Sequence, residues 1–414
     1  PTGRAAKVFS LGSGAPAYTI HRRIYREKVF AGVDGQFSLN DNLYTDTLFM
    51  VDEASMIANM GLGGTTFGSG CLLDDLVKFV YQGHNDRLLL IGDKAQLPPV
   101  GEEESPALSA SVMEGYGLKV YECDLNEVLR QSQSSGILYN ATLIRQMITH
   151  DAVTGLPLIR FKGFADIVMM PGAELVESLG DSYHHVGMDE TMVITRSNKR
   201  ANIYNNGIRN MVLDREEELS SGDMLMIVKN NYFWTEKEKK ESGEGSAGAV
   251  PAFLANGDRA KVLRVSNYIE LYGFRFATLL LQLPDYDDYE MQVTGMLDTL
   301  QSEAPALTHE QQEELFRQVE EDYQHFVPLK ADRMKSIRQD AYFNALQIKY
   351  AYAVTCHKAQ GGQWAHVYVD QGYMTDDMLT PDYIHWLYTA FTRATDKLFL
   401  VNWPKEQTCE PTDL

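Results

Sequence analysis

Asp52 and Glu53 are adjacent carboxylates that close the apolar run "TLFMV", residues 47–51. The run reads as a short, fully buried strand. In an open α/β sheet, the carboxyl end of such a strand is where ligands bind. One carboxylate there can hold Mg²⁺ while its neighbour orients a water, the pair of tasks that phosphoryl transfer requires. About forty residues on, the strand-like "RLLLIGD" runs into "GDKAQLPPV", residues 92–100, and Asp93 and Gln96 are expected to face the same crevice. A neutral amide there can bond a phosphate oxygen or the attacking water without repelling either.

This chemistry needs a third part, a glycine-rich loop with a Gly-Lys step that cradles the phosphates. None of the 32 glycines is followed by lysine. The one glycine-rich stretch, "GLGGTTFGSG" at 61–70, has no lysine and reads as a flexible loop. Either the carboxylates serve another purpose, or the phosphate loop belongs ahead of Pro1.

Strands predicted at 47–52, 87–93 and 118–122, separated by helical stretches, describe a βαβ pattern and so a parallel sheet. Within it, "KVFAGVDGQFSLND" at 28–41 carries an Asp34-Gly35 turn between alternating residues, which signals a hairpin. A second alternating region has strands near 165–170, 191–195, 350–355, 366–370 and 397–401. A β-rich block from about 220 to 282 interrupts it, with "DMLMIVKNNYF" and "RAKVLRV" separated by the charged, Gly/Ser-rich loop "TEKEKKESGEGSAGAV". The stretch "THEQQEELFRQVEEDYQHF" predicts a helix with Thr308 as N-cap and Gln311 three residues on. Its apolar stripe is Leu315, Val319, Tyr323 and Phe326, and a solvated helix is expected.

At 414 residues, two to four domains are expected. No apolar run approaches a membrane span, and no secretory leader is legible. Cys71, Cys123, Cys356 and Cys409 lie far apart, which argues against zinc and disulfides and predicts a reducing cytoplasm. The net charge of −20 speaks against nucleic acid at face value. Its distribution does not: residues 283–324 hold twelve Asp or Glu against one Arg, while basic residues gather at 4–28, 196–209 and 330–338. Binding a phosphate backbone takes a local groove, not a basic whole.

Eight segments, in order, resemble the motifs of superfamily 1B DNA helicases of the RecD and Dda group. "PTGRAAKVFS" resembles motif Ia, and "YTIHRRIY" the next DNA-contacting motif. "VDEAS" is similar to motif II, "GDKAQLPPV" to motif III and "LNEVLRQS" to motif IV. "ITRSNKRANIYN" at 194–205 resembles the opening of the second motor domain. "YAVTCHKAQGGQWAHVYV" at 352–369 is similar to motif V, and "LYTAFTRATDKLFLV" at 387–401 to motif VI.

The resemblance implies an α/β fold: two RecA-like parallel-sheet domains of the P-loop NTPase type, with an inserted SH3-like β-barrel. The first motor domain would span 1–130, with a small hairpin at about 24–45. The second would span 131–219 and 346–414. The insert would span 220–345, with an acidic helical extension at about 300–328. The activity implied is an ATP-dependent 5′→3′ helicase on single-stranded DNA, using ATP and Mg²⁺. Asp52 would bind Mg²⁺, Glu53 activate the water and Gln96 sense the γ-phosphate. Arg130 would reach that phosphate, with Arg393 as the arginine finger. Asp93 and Gly361 would line the nucleotide. Pro1, Thr2, Gly3, Arg4, Thr19, His21, Asn198, Thr355, His357 and Lys358 would contact DNA.

The phosphate loop would precede motif Ia by one strand–helix step, so the chain is expected to be a fragment, weak or inactive alone as an ATPase. A monomer in the cytoplasm is expected, not on a membrane, with repair or recombination subunits as possible partners. Two alternatives stand: a non-catalytic DNA-binding or scaffolding protein that keeps the fold, and a subunit of an exonuclease V-type complex.

Overall fold

The computed structural model describes residues 3–29, 36–60, 68–125, 134–149, 155–242, 250–251, 253–375 and 378–409. Helices α1 (Gly3–Ser13) and α2 (Ile20–Ile24) lead into the antiparallel pair β1 (Tyr25–Val29) and β2 (Gln36–Leu39). This is the expected hairpin; its Asp34-Gly35 turn lies outside the described residues. Strand β3 (Leu48–Val51), helix α3 (Leu72–Gln82), strand β4 (Arg87–Leu90) and helix α4 (Ala110–Gly115) follow, and β3 and β4 pair in parallel. Helix α3 buries Leu73, Leu76, Val77, Phe79 and Val80 against the inner face of the two strands.

Two expectations are corrected here. Strand β3 is not fully buried: Leu48 is 54% and Met50 47% exposed, and Leu89 on β4 is 41% exposed. Among the described residues this sheet has two strands, so one face has helix and 3₁₀ packing while the other lacks a covering layer. A parallel sheet ordinarily has both faces covered. Residues 118–122 form no strand; Leu118 and Val120 pack part-buried on the first core without pairing, which explains their apolar alternation.

The next region brings α5 (Gly136–Thr149), β5 (Ile167–Met170), α6 (Leu175–His185), β6 (Thr191–Thr195) and α7 (Asn198–Gly207). Beyond a π-helical turn at Ile208–Val212 come β7 (Met224–Ile227), α8 (Phe233–Ser242), β8 (Arg259–Leu271), β9 (Phe274–Leu283) and β10 (Tyr289–Met296). Helices α9 (His309–Gln324) and α10 (Lys330–Arg338) precede β11 (Leu346–Tyr350). The chain ends with β12 (Ala353–Thr355), α11 (Cys356–Ala359), β13 (Trp364–Asp370), α12 (Pro381–Phe391) and β14 (Ala394–Val401).

Strands β12, β6, β13, β14 and β5, in that order, make an all-parallel five-stranded sheet. Every residue of β6 is buried, as expected where helices cover both faces. Strands β10, β11, β7, β8 and β9 close into a barrel. Its strands alternate inward and outward residues, as a small filled barrel demands. Gly295 on β10 is where side chains crowd: a Cβ there would lie 2.5 Å from Leu279 Cδ1. Gly295→Ala is therefore expected to cost about 1–3 kcal/mol by overpacking, read as a lower denaturant midpoint.

The stretch expected as one strand at 350–355 is two. Leu346–Tyr350 pairs with β7 and β10 in the barrel, and Ala353–Thr355 pairs with β6, so the crossing between barrel and sheet falls after Tyr350, not after residue 345. The start of "TEKEKKESGEGSAGAV" is helix α8, not loop; residues 243–249 lie outside the described set. Helix α9 has the expected capping box at Thr308 and Gln311. It is not merely solvated: Leu315 and Val319 are buried with Ile337 of α10 and with Phe274, Phe276 and Met296 of the barrel. Phe326 lies beyond the helix end and is 79% exposed, so it does not extend the stripe.

Candidate active site and nucleic-acid face

Asp52 and Glu53 follow β3 directly, as the strand reading required. Asp52 Oδ1 accepts the Glu53 amide at 2.8 Å. Glu53 has φ 52° and ψ 39°, a left-handed conformation that non-glycine residues rarely adopt. The turn re-aims the chain: the next amide, Ala54, donates to Ile91 O of the β4 end at 2.8 Å, tying the two strand ends together. Burial pushes the Glu53 carboxyl up, Asp52 and Asp93 push the same way, and the positive charge of Arg393 opposes them.

The loop after β4 is gripped by the region of the five-stranded sheet. Asp93 Oδ2 accepts from Tyr388 Oη at 2.7 Å, and Arg145 of α5 lies 3.7 Å from Asp93 Oδ1. The Leu97 amide donates to Thr389 Oγ1 at 2.9 Å, and Gln360 Nε2 donates to Leu97 O at 2.9 Å. His385 Nδ1 sits 2.9 Å from Ala95 O and 3.1 Å from Gln96 O. Thus residues of α5, α12 and the motif V loop hold the Asp93–Leu97 segment. The Gln96 carboxamide oxygen is buried without a hydrogen-bond partner.

Arg393 follows α12 and is 4% exposed. Its guanidinium donates to Thr389 O at 3.0 Å, Gly362 O at 3.1 Å and Thr392 Oγ1 at 3.1 Å. Burial lowers its proton affinity, and Glu53 is the leading charge that restores it. The two sides of the cleft therefore meet electrostatically at Glu53 and Arg393, although Arg393 is bonded within its own region. Gly361 takes φ +76° in the turn after α11, a conformation suited to glycine. Arg130 lies outside the described residues.

The expected DNA contacts divide. Pro1 and Thr2 lie outside the described residues, and Gly3 and Arg4 open α1. Thr19 caps α2 by accepting the Arg22 amide, and burial brings the neighbouring His21 down to about 4, so its ring is neutral at pH 7. Thr355 ends β12, with His357 and Lys358 on α11. Burial pushes Lys358 down to about 8, and its ammonium donates to Asn256 Oδ1 at 2.5 Å. Asn198 donates to Glu303 O at 3.0 Å, so this side chain clasps the 301–303 segment.

A family model described as an AAA domain matches residues 1–155, and one described as a UvrD-like helicase C-terminal domain matches residues 350–401. The AAA match thus takes in β3 and β4 with the carboxylates that follow β3, and the helicase match takes in β12, β13, α12 and β14 with Arg393. It is 22% identical over 396 residues to an uncharacterised protein of Acanthamoeba polyphaga mimivirus, covering 85% of this chain and 74% of that protein. Among solved structures, it is similar to Pif1 helicases at forked double-stranded DNA, with a TM-score of 0.49, 12% identity and coverage of 99% of this chain and 83% of that one. It is also similar to a Bacteroides Pif1 helicase in complex with ADP-AlF3 and single-stranded DNA, with a TM-score of 0.47, 12% identity and the same coverage.

Sequence reading missed the grip on the Asp93 loop. Tyr388 and Thr389 stood inside "LYTAFTRA" and Gln360 inside "HKAQGG", so motif membership could have found them. His385 lies just outside its motif, and Arg145 carries no sequence signal. No helix among the described residues is long and apolar enough to cross a membrane.

Proposed function

We propose that this chain is a motor of the 1B helicase group that moves 5′→3′ along single-stranded DNA by ATP hydrolysis. The observation that carries the reading is the Asp93–Leu97 segment of the first sheet bonded to Tyr388, Thr389, His385 and Gln360 of the second. Any change at a bound γ-phosphate would be felt by both motor regions, which is what a nucleotide-driven cleft needs.

The residues present fit ATP and Mg²⁺ in part. Asp52 would hold Mg²⁺, Glu53 would take up and orient the water, and the orphaned Gln96 amide would face the γ-phosphate. Among the described residues no three His, Cys, Asp or Glu side chains converge on a metal site. That suits Mg²⁺, which is commonly held by one or two carboxylates together with substrate phosphates. The bound metal would neutralise charge on the transferred phosphoryl group, and Arg393 would add to this once released from Thr389 O and Gly362 O. A phosphate cradle with a Gly-Lys step is not among the 414 residues. Cys71, Cys123, Cys356 and Cys409 form no disulfide, which suits a reducing compartment.

The DNA path would run over α2 and α11, using Thr19, His21, His357 and Lys358. The acidic helix α9 packs on the barrel and would lie away from it. Single-strand affinity should fall steeply with salt, with a slope of about −0.7 per phosphate contact. His357→Ala with Lys358→Ala should weaken binding and flatten that slope. Because Lys358 loses its charge as pH rises through about 8, affinity should drop between pH 7 and 9. Oligonucleotide titrations by anisotropy check this. Salt-independent binding, or an unchanged slope in the double variant, would overturn the path.

A further inference from the structure

We propose that residues 301–306 form a detachable strap over a row of donors on α7 and the Lys349 ammonium, an autoinhibitory contact that single-stranded DNA displaces. The inference rests on the single-strand reading above and adds a competitor for DNA that belongs to the chain itself.

Asn198, Asn202 and Asn206 recur every fourth residue on α7 and so share one face. All three amides bond the strap. Asn198 Nδ2 donates to Glu303 O at 3.0 Å. Asn202 Nδ2 donates to Gln301 O at 2.8 Å and to Ser302 O at 3.2 Å, and Asn206 Nδ2 to Gln301 Oε1 at 3.3 Å. Lys349 of β11 adds its ammonium to Ser302 O. The ends of the strap are fixed on the same strand: Thr299 Oγ1 donates to Ile348 O at 2.8 Å, and the Leu307 amide to Gln347 Oε1 at 3.0 Å. Leu300 and Leu307 are buried, but no residue between them is. A tether built only for stability would gain most by burying apolar side chains. This one is held chiefly by polar bonds, nearly all of them accepted by main-chain carbonyls.

The same donors suit a phosphate backbone. Asparagine amides and lysine ammonium groups both donate to phosphate oxygens. Lys349 is 9% exposed. Burial brings it down to about 8, and the charge that acts on it is a second cation, Lys358, which pushes the same way. A buried charge is ordinarily paired with an opposite one; the strap offers Lys349 only a neutral carbonyl. An anion would supply the missing charge, and a DNA strand brings a row of them. The donors also lie beside the proposed path. Asn205 of α7 donates to Ala353 O of β12 at 3.0 Å, and β12 runs directly into α11 with His357 and Lys358. On the strap, the exposed Glu303 adds negative charge next to the row, so the closed strap opposes DNA by charge as well as by occupancy.

The test uses the full 414-residue chain, a fluorescent oligodeoxythymidylate and the glutamate-specific endoproteinase Glu-C. Cleavage after Glu303, followed by mass spectrometry, reports opening of the strap, and the oligonucleotide should speed it several-fold. Ala304→Gly with Ala306→Gly gives the released strap more conformational freedom and leaves every donor in place. This double variant should bind the oligonucleotide roughly fivefold more tightly by anisotropy. Thermal unfolding of the variant controls for the fold. If the oligonucleotide leaves cleavage after Glu303 unchanged or slows it, or if the glycine variant binds within twofold of the parent, DNA does not displace the strap and the single-strand reading stands. If the parent binds no oligonucleotide, that reading falls and the inference with it.

Discussion

Glu53→Gln is expected to abolish ATP turnover without loss of nucleotide affinity, in a polypeptide that joins a Gly-Lys phosphate loop to these 414 residues. The amide keeps the size and the left-handed backbone of Glu53 but cannot take a proton from water, and a positioned base is worth roughly 10²- to 10⁴-fold in rate. Steady-state hydrolysis and nucleotide titration check the two halves; turnover within about tenfold of the parent, roughly 1.4 kcal/mol of barrier, would remove Glu53 from this role. The 414 residues alone should show no turnover above the Glu53→Gln background. The pH dependence has a fixed sign. Burial raises the Glu53 carboxyl above the ordinary range, and the base must be ionised, so activity is lost as pH falls through that raised value. The same shift means that the folded state prefers Glu53 protonated. Its charge is destabilising at neutral pH, and Glu53→Gln should leave thermal stability unchanged or slightly higher.

Asp223→Ala is expected to cost about 3–5 kcal/mol of stability, the range for breaking a buried ion pair from one side. Asp223 is fully buried at the start of β7, and Arg209 beside it is 3% exposed. Arg209 binds it in a fork, Nε to Oδ1 and Nη2 to Oδ2, both at 3.0 Å. Arg215 and Tyr352 add contacts of 2.7 Å to Oδ1, and the Ser220 amide one of 2.7 Å to Oδ2. Tyr352 lies between β11 and β12, so one carboxylate pins both chain crossings between barrel and sheet. Burial alone would raise its proton affinity, but the bonds from Arg209, Ser220, Tyr352 and Arg215 win and lower it. A depressed carboxylate stabilises above its unfolded value, about 3.9, and loses that contribution as pH falls through the folded value. Urea unfolding should therefore show a large gap between parent and variant at pH 7 that narrows in strong acid. A gap under about 1 kcal/mol at pH 7, the scale of an exposed ion pair, would show that the network is replaceable.

Much of this was legible in the residues. The carboxylates at the end of an apolar run, the Thr308 capping box and the hairpin around residues 25–39 were read correctly, because each rests on local periodicity or a short-range hydrogen bond. The ordered motifs carried the resemblance to helicases, and residues 350–401, which hold the last two of them, match a UvrD-like helicase C-terminal domain. Local pattern failed where burial depends on what packs from far along the chain. Leu48 and Met50 have the composition of a buried strand, yet whether a parallel strand is covered is decided by its neighbours. Leu118 and Val120 alternate like a strand, but pairing needs a partner edge. Residues 350–355 read as one strand because Ala351 and Tyr352 carry no break in hydrophobicity; only barrel closure separates Tyr350, the end of β11, from β12. The acidic helix looked solvated because its charges outnumber its apolar stripe, while Phe274, Phe276 and Met296, distant in sequence, cover that stripe.

By itself, the sequence determined the types and order of the chemical groups: two carboxylates, an amide, an arginine after α12 and a lysine on α11, each set by the local chain. Tertiary structure decided which of them meet. The bonds from Tyr388 to Asp93, from Leu97 to Thr389 and from Lys358 to Asn256 join residues 102 to 295 positions apart, and no periodicity reports a contact whose cost is the closure of so long a loop.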